Sequence, residues 1–395
     1  MNRDPKKTTS ALNTAMSRRR FLFCTGAFGI AATATWGCDY FPPEEGAPYA
    51  PWDWPDGERR SEWLAVGGAI LAASPHNTQP WRFEIEDREV RLFADMSQSL
   101  GPLDPYYREM NLGLGCALEN LSIAAASAAE DTTTEISQDP DDTVVGRVVM
   151  DGAPRRENGA LFDAIPKRHT NRGPYIDHAP PSSLEGDLRA FIDEEDVDVT
   201  VLQTKNDREA FRQDIIDATR AIIDDKEMNE ASHVWYRHSK DAIDEHRDGL
   251  TIDPIGTSAT VRFFGKIGSR PSAEKAAKYW LKNTIDYQTT ASAYVILTSP
   301  ARNDRAQQLR CGRVYQRLHL FATSVGLAIQ PLNQMLERAD REMYLDIAPT
   351  FTERLLSYVG DARHAVMVFR IGYPIETAFA SCRKPVEWVT AETRA

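Results

Sequence analysis

Arg168, Thr170 and Arg172 alternate along the run Arg168-His169-Thr170-Asn171-Arg172. In an extended segment alternate side chains share one side. Two guanidiniums could then fork onto a dianionic phosphate, with the Thr170 hydroxyl between them. The other reading is a pair of solvated surface charges. A second cluster is the polar turn Ser74-Pro75-His76-Asn77-Thr78-Gln79-Pro80, followed by Trp81. Asn77 and Gln79 carry amides that can donate to and accept from the edge of a heterocycle. Pro75 and Pro80 would lower the cost of ordering such a turn. The alternative here is a plain turn that ends a helix. Trp81 opens a strand and is expected in the core.

Other chemistries find no residues to carry them. The sequence has no GxSxG elbow, no phosphate-binding Walker loop and no GxGxxG run ahead of a helix. Of five cysteines, Cys24 and Cys38 lie near the N-terminus, and Cys116, Cys311 and Cys382 are far apart with no CxxC pair. Iron–sulfur or structural zinc sites need clustered thiolates. The eight histidines show no HExxH spacing, and His233 and His238 are expected on a solvated helix face. An organic cofactor is the simplest remaining source of chemistry, and no side chain stands out as nucleophile or general base. The net charge of -12 argues against nucleic-acid binding, which needs a basic face.

Periodicity places these clusters on a mixed framework. Residues 58–73 read as an amphipathic helix leading into the turn at 74–80. Strands are expected at 81–85, 90–93, 144–150, 293–298 and 364–371. Helices are expected at 108–129, 160–167, 207–225 and 306–325, with a polar loop around a short strand at 131–143. Residues 227–287 are too long for a plain connection and read as an insertion or lid. The run from Gly115 to Ala125 shares Gly, Leu and Ala offsets with the run from Gly312 to Ala322, which suggests an internal repeat.

The N-terminus carries a separate signal. Arg18-Arg19-Arg20 precedes a mild apolar stretch ending at Trp36-Gly37-Cys38. Paired arginines ahead of a modest apolar region form the twin-arginine export pattern; a short basic membrane anchor is the alternative. Gly before Cys38 resembles a lipoprotein processing site, although Thr35 stands where Leu is usual. Residues 39–57, rich in Pro and Trp, read as a linker or tether. After the first 40 residues no apolar run is long enough to span a bilayer.

The turn at 74–81 closely resembles the flavin-contacting turn of the nitroreductase superfamily. Arg168 to Arg172 resembles its phosphate motif, with Thr in place of Ser. The order of the two motifs, turn first, is similar to that of the Acg-like branch, in which two degenerate halves share one chain. Asp95, Asp104-Pro105, Arg108-Glu109, Gly326-Leu327, the run Gln330-Pro331-Leu332-Asn333-Gln334 and Arg370-x-Gly372-Tyr373-Pro374 match that branch too. The resemblance covers about Trp63 to Val389. It implies an α+β, nitroreductase-like fold: a mixed sheet wrapped by helices, with one half at 58–155 and the other at 156–395. It implies one FMN contacted by Ser74, His76, Asn77, Gln79, Arg168, Thr170, Arg172, Gln330, Pro331, Leu332 and Asn333. Arg383 and Lys384 would add charge near the phosphate. Gly326 would allow close approach to the ring, or would only cap a helix. The implied activity is an exported, periplasmic or membrane-anchored FMN-dependent oxidoreductase that passes electrons to a small electron-poor acceptor. Its donor would be NAD(P)H or a membrane or periplasmic partner, and a monomeric pseudo-dimer is expected. A protein that sequesters FMN with little turnover is the alternative.

Overall fold

The computed structural model describes residues 44–55, 60–139, 142–154, 159–360 and 363–392. The arginine stretch at 18–20 and Cys38 lie outside the described residues. In chain order the elements are α1 (Ser61–Ala69), β1 (Trp81–Glu86), β2 (Glu89–Ala94), α2 (Arg108–Ala128), β3 (Ala129–Ile136), β4 (Val144–Pro154), α3 (Ala160–Ala164), α4 (Leu184–Ala190), β5 (Asp198–Leu202) and α5 (Lys205–Asp224). There follow α6 (Lys226–Val234), α7 (Lys240–His246), α8 (Ala259–Ile267), α9 (Ala273–Asn283), β6 (Ala293–Ser299), α10 (Arg305–Ser324), β7 (Ala328–Pro331), α11 (Gln334–Tyr344), α12 (Thr350–Val359), β8 (His364–Gly372), α13 (Val386–Val389) and β9 (Thr390–Glu392).

The chain is α+β, as expected, and its strands divide into two sheets. One has the order β3-β4-β2-β1-β9 and is mixed, because β9 pairs parallel with β1 while the other pairs are antiparallel. The other has the order β5-β6-β8-β7 and is antiparallel. β6 and β8 lie at its centre, and every residue of Ala293–Ser299 is buried. A strand covered on both faces must be apolar throughout, which explains the run Ala-Tyr-Val-Ile-Leu. The short strand expected within the polar stretch at 131–143 is the eight-residue edge strand β3, which starts two residues earlier, at Ala129. Its Thr132-Thr133-Thr134 run favours extended backbone, and its charged neighbours suit an edge.

Helices α2 and α10 cross between the sheets at bare backbone. A Cβ on Gly115 would stand 2.1 Å from the Leu309 carbonyl oxygen, and one on Gly312 would stand 2.2 Å from that of Leu112. Each glycine thus faces the residue three before the other glycine. The flanking bonds are Asn111 Nδ2 to Gln308 Oε1 at 2.7 Å and Gln316 Nε2 to Asn120 Oδ1 at 2.8 Å. Only glycine permits this approach, which fixes the two helices in register.

Residues 44–55 are not a free tether. Trp54 is buried against Phe162, with ring centroids 4.7 Å apart, and donates to the Leu64 carbonyl at 3.0 Å. Trp52 donates to the Ser381 carbonyl at 2.8 Å. Two tryptophans bring apolar area worth a few kcal/mol each when covered, which outweighs the local richness in proline and acid.

Candidate functional site

A cavity of about 1020 Å³ opens between the α2–α10 pair, the 74–76 turn, the 170–172 segment, the start of α11 and a wall built from α6, α8 and α9. Small-molecule sites are typically about 300–1,000 Å³. Of the residues expected to bind a cofactor, Ser74, His76, Thr170, Arg172, Gln330, Pro331 and Asn333 line it. Residues 229–288 supply much of the opposite wall, including Tyr236, Ile252, Phe264 and Trp280.

The turn after α1 is made by unusual backbone. His76, Asn77 and Gln79 all have positive φ, at 47°, 57° and 54°. Non-glycine residues rarely adopt this region, and each such residue costs about 1–3 kcal/mol that its surroundings must offset. Here the amides provide the offset. Asn77 Nδ2 donates to the carbonyls of Gly249 (3.1 Å) and Cys382 (2.9 Å), and its Oδ1 accepts from Arg383. Gln79 Nε2 donates to the Arg247 carbonyl at 2.8 Å, and its Oε1 accepts from the Lys384 amide at 2.9 Å. These two side chains therefore clasp the 247–249 and 382–384 segments and do not line the cavity. That corrects the expectation that their amides meet a ligand. The positive φ values turn Ser74, Pro75 and His76 to the cavity and Asn77 and Gln79 away from it. His76 Nε2 lies 2.9 Å from Ser232 Oγ, and burial with Arg172 nearby pushes the ring down to about 4, so it is neutral near pH 7.

Other expected contacts are also displaced. Leu332 is 1% exposed and belongs to the core under the second sheet, because alternate residues of an extended run face opposite ways. Lys384 Nζ reaches Gln98 Oε1 at 3.1 Å and pairs with Asp248 at 3.4 Å. Gly326, with φ 78°, closes α10: the Leu327 amide donates to the Ala322 carbonyl at 2.8 Å. It is a helix cap and does not line the cavity. His233 and His238 are half-buried in the cavity lining, and their Nε2 atoms lie 2.9 Å and 2.7 Å from the carbonyls of Pro271 and Gly268. No group of three or more His, Cys, Asp or Glu among the described residues could hold a metal ion.

At one end the cavity is backed by arginines without counter-ions. Arg168 and Arg383 are 2% and 3% exposed. Arg168 donates to the Leu71 carbonyl at 3.0 Å and Arg383 to that of Ala72 at 3.2 Å, both just past the C-terminus of α1, where the helix dipole favours cations. Between them lies the Trp52 ring, 6.0 Å from the Arg168 guanidinium carbon and 4.8 Å from that of Arg383. Both Nε atoms lack a hydrogen-bond partner. Arg172 makes one long contact, 3.4 Å to the Pro254 carbonyl. Burial pushes its guanidinium down to about 10, with Arg168 and Arg370 repelling it. Burial, with Arg168 and Arg172, pushes Arg383 down to about 9. Among the described residues none of these three forms an ion pair with a carboxylate. His169, pushed down to about 3 by burial and by Arg168 and Arg383, is neutral and adds no charge. Buried cations without anions are costly, and an anion with several acceptor oxygens would relieve all three.

Arg370 is a different case. It is fully buried and donates to the carbonyls of Asn171, Gly173, Tyr287 and Thr290 and to Gln330 Oε1 at 2.8 Å, while stacking 3.8 Å from the Tyr175 ring centroid. It ties the 170–172 segment to β7 and to the cavity wall. Sequence reasoning noted Arg370 only within a motif and gave it no role. Two carboxyls, Glu109 and Glu337, also line the cavity. Asn333 Nδ2 donates to Glu109 Oε2 at 3.0 Å.

No family model matches the chain. It is 26% identical over 310 residues to a Mycobacterium tuberculosis protein named "Putative NAD(P)H nitroreductase Rv3131", spanning 77% of this chain and 83% of that one. A second protein of that organism, "Putative NAD(P)H nitroreductase acg", is 25% identical over 289 residues, spanning 71% of this chain and 82% of that one. The chain resembles named nitroreductases over most of its length. Among solved structures, a nitroreductase with bound FMN from Desulfitobacterium hafniense aligns with 58% of this chain and 96% of its own at 12% identity and a TM-score of 0.37. Another with bound FMN, from Bacteroides fragilis, aligns with 57% and 95% at 18% identity and a TM-score of 0.34.

Proposed function

We propose that this chain is an FMN-dependent oxidoreductase of the nitroreductase type, with the flavin held in the cavity and its phosphate at the Thr170–Arg172 end. The observation that carries this reading is the set of three arginines, the buried Arg168 and Arg383 and the half-buried Arg172, with no carboxylate partner among the described residues. An anion from outside the protein would complete them, and the cavity beside them would accommodate a flat heterocycle between mainly apolar walls. Arg172 and Thr170 would hold the phosphate directly. Arg168 and Arg383 would stabilise its charge from behind, through the Trp52 sandwich. Ser74, His76, Gln330, Pro331 and Asn333 would contact the rest of the molecule. When bound, FMN supplies the two-electron chemistry that no protein side chain here can supply. The protein binds it, excludes water and fixes where an acceptor sits.

The sequence relatives support an oxidoreductase, and the crossing of α2 and α10 supports two fused halves in a monomer. The paired arginines at the N-terminus and Cys38 support export, with a lipid anchor as the sole membrane contact and a membrane or periplasmic electron donor. One observation favours a second reading, sequestration of FMN with little turnover: α6, α8 and α9 wall the cavity from outside.

The deciding experiment is the visible absorption spectrum of the purified chain with FMN, before and after adding NADPH without oxygen. Flavin bands that bleach identify an oxidoreductase. Bands that persist with NADPH yet bleach with a stronger chemical reductant favour sequestration or another donor. A chain that takes up no FMN refutes the reading.

A further inference from the structure

Glu337 sits on the first turns of α11 and lines the cavity. It is 8% exposed, and among the described residues its carboxyl has neither a hydrogen bond nor an ion pair. The charged groups near enough to act on it include Glu109 and Arg108 from α2, Asp104 from the turn before α2, and Asp340 one turn along its own helix. The local cations are already committed. Arg108 pairs with Asp340 and Glu109, each at 2.7 Å, and Arg302 pairs with Asp340 at 2.7 Å. Asp104 accepts the amides of Glu109 (3.0 Å) and Met110 (2.9 Å) at the start of α2. Glu337 is left over: a carboxyl with no counter-charge, beside a second carboxyl, at the edge of a large cavity.

We propose that Glu337 is a proton-donating residue for the acceptor reduced in this cavity. The proposal rests on the preceding reading for the electrons and on the geometry above for the proton. Burial, then the neighbouring Glu109, holds the Glu337 carboxyl well above the usual carboxylate range, which favours its protonated form. Reducing a quinone to a hydroquinone takes two electrons and two protons. Reducing a nitro group to a nitroso group takes the same and releases one water. In both cases the flavin, when bound and reduced, would supply both electrons and one proton. The second proton passes from a Glu337 carboxyl oxygen to an oxygen of the acceptor. Glu337 is left as a carboxylate and is recharged from water in the cavity. The acceptor class is therefore a small molecule with a reducible oxygen, oriented with that oxygen toward α11.

Two measurements test this, and the first needs no flavin. Infrared difference spectra of the flavin-free chain at neutral pH should show a protonated carboxyl band that Glu337→Gln removes. If the Glu337→Gln spectrum retains every protonated carboxyl band of the native one, the proposal falls, whatever the fate of the FMN reading. In the second, the FMN-loaded chain is reduced by light without oxygen and mixed with p-benzoquinone. The native rate should fall as pH rises through the Glu337 titration seen in the infrared. Glu337→Gln should be about 100-fold slower with no such pH dependence, at unchanged FMN affinity. Glu337→Asp, which keeps an acid but shortens it, should recover part of the rate and keep the pH dependence. A Glu337→Gln chain with the native rate and pH profile overturns the proposal. A chain that binds no FMN overturns the preceding reading and the donor role with it, and the infrared arm then shows separately whether Glu337 holds a proton.

Discussion

Replacing Arg172 by Met separates the cost of a lone buried cation from its use. Burial, then repulsion by Arg168 and Arg370, moves its guanidinium from the ordinary 12.5 to about 10. Keeping it charged in the folded chain would then cost on the order of 3 kcal/mol at one pKa unit per 1.36 kcal/mol, and about 1–2 kcal/mol after screening by cavity water. Arg172→Met should therefore stabilise the ligand-free chain by about 1–2 kcal/mol. At an unfolding entropy near 0.7 kcal/mol per degree for a chain this long, the melting temperature rises by about 1–3 °C. With FMN the sign reverses. Losing one charge-assisted contact worth about 2 kcal/mol weakens binding about 30-fold. At an FMN concentration 100 times the native Kd, the native chain gains about 2.7 kcal/mol from binding and the variant only about 0.9 kcal/mol. The native melting temperature should climb about 4 °C on adding FMN and the variant's about 1 °C. Thermal melts of both chains with and without FMN give all four values. A ligand-free Arg172→Met chain that melts lower than native, together with an undiminished FMN shift, would refute the idea that Arg172 waits uncompensated for an anion.

Other consequences follow from particular contacts. Gly312→Ala adds a methyl 2.2 Å from the Leu112 carbonyl; the overpacking cost of about 1–3 kcal/mol should exceed the gain of about 1 kcal/mol in helix propensity, so the urea midpoint should drop. Asn77→Ala should destabilise the flavin-free chain by about 2–4 kcal/mol, because it unclasps Gly249 and Cys382 and strands Arg383; a loss seen only with FMN bound would mean that Asn77 contacts the ligand. Burial, then Glu109, raises the Asp104 carboxyl to about 7 from an ordinary 3.8. The unfolded chain then gives up this proton first, so the contribution of Asp104 to stability falls between about pH 4 and 7, and Asp104→Asn should flatten that slope in melts across this range. Cys311 and Cys382 are buried with thiols raised to about 12; a disulfide reagent should label them only at the rate of unfolding.

The regular elements were legible because their periodicity is strong. The buried run of β6 and the long helices α2 and α10 stand within one or two residues of where the pattern puts them. The alternation of Arg168, Thr170 and Arg172 located the cationic end, although Arg168 backs the cavity while Thr170 and Arg172 line it. What failed was direction. Nothing in the order Asn77-Thr78-Gln79 reveals that three left-handed residues swing both amides away from the cavity. Leu332 and its neighbours Pro331 and Asn333 lie on one short run, yet an extended backbone sends them to opposite faces. The 44–55 stretch was misread because composition weighs proline and acid by number, whereas Trp52 and Trp54 decide by area. Glu337 gave no signal at all. On α11 it is one of several charged residues, and only the fold shows which of them lacks a partner.

The α2–α10 crossing is what makes a polarised cavity possible. Each helix lends its glycine to the other's backbone, so the pair packs closely and its flanks remain free to line a site. From α2 come Glu109, Leu112, Gly113 and Cys116; from α10 comes Tyr315. Glu109 brings negative charge to the lining through the Arg108 and Asp104 network at the start of its helix. The cationic end draws its positive charge from segments more than two hundred residues apart, 168–172 and 383, gathered past the C-terminus of α1. A dianionic ligand would be attracted to the cationic end, and that attraction would orient it along the cavity. That orientation would place the uncharged part of the ligand toward α11, where Glu337 stands without a partner among the described residues. An oriented cofactor and a proton donor beside it would then follow from the same division of charge.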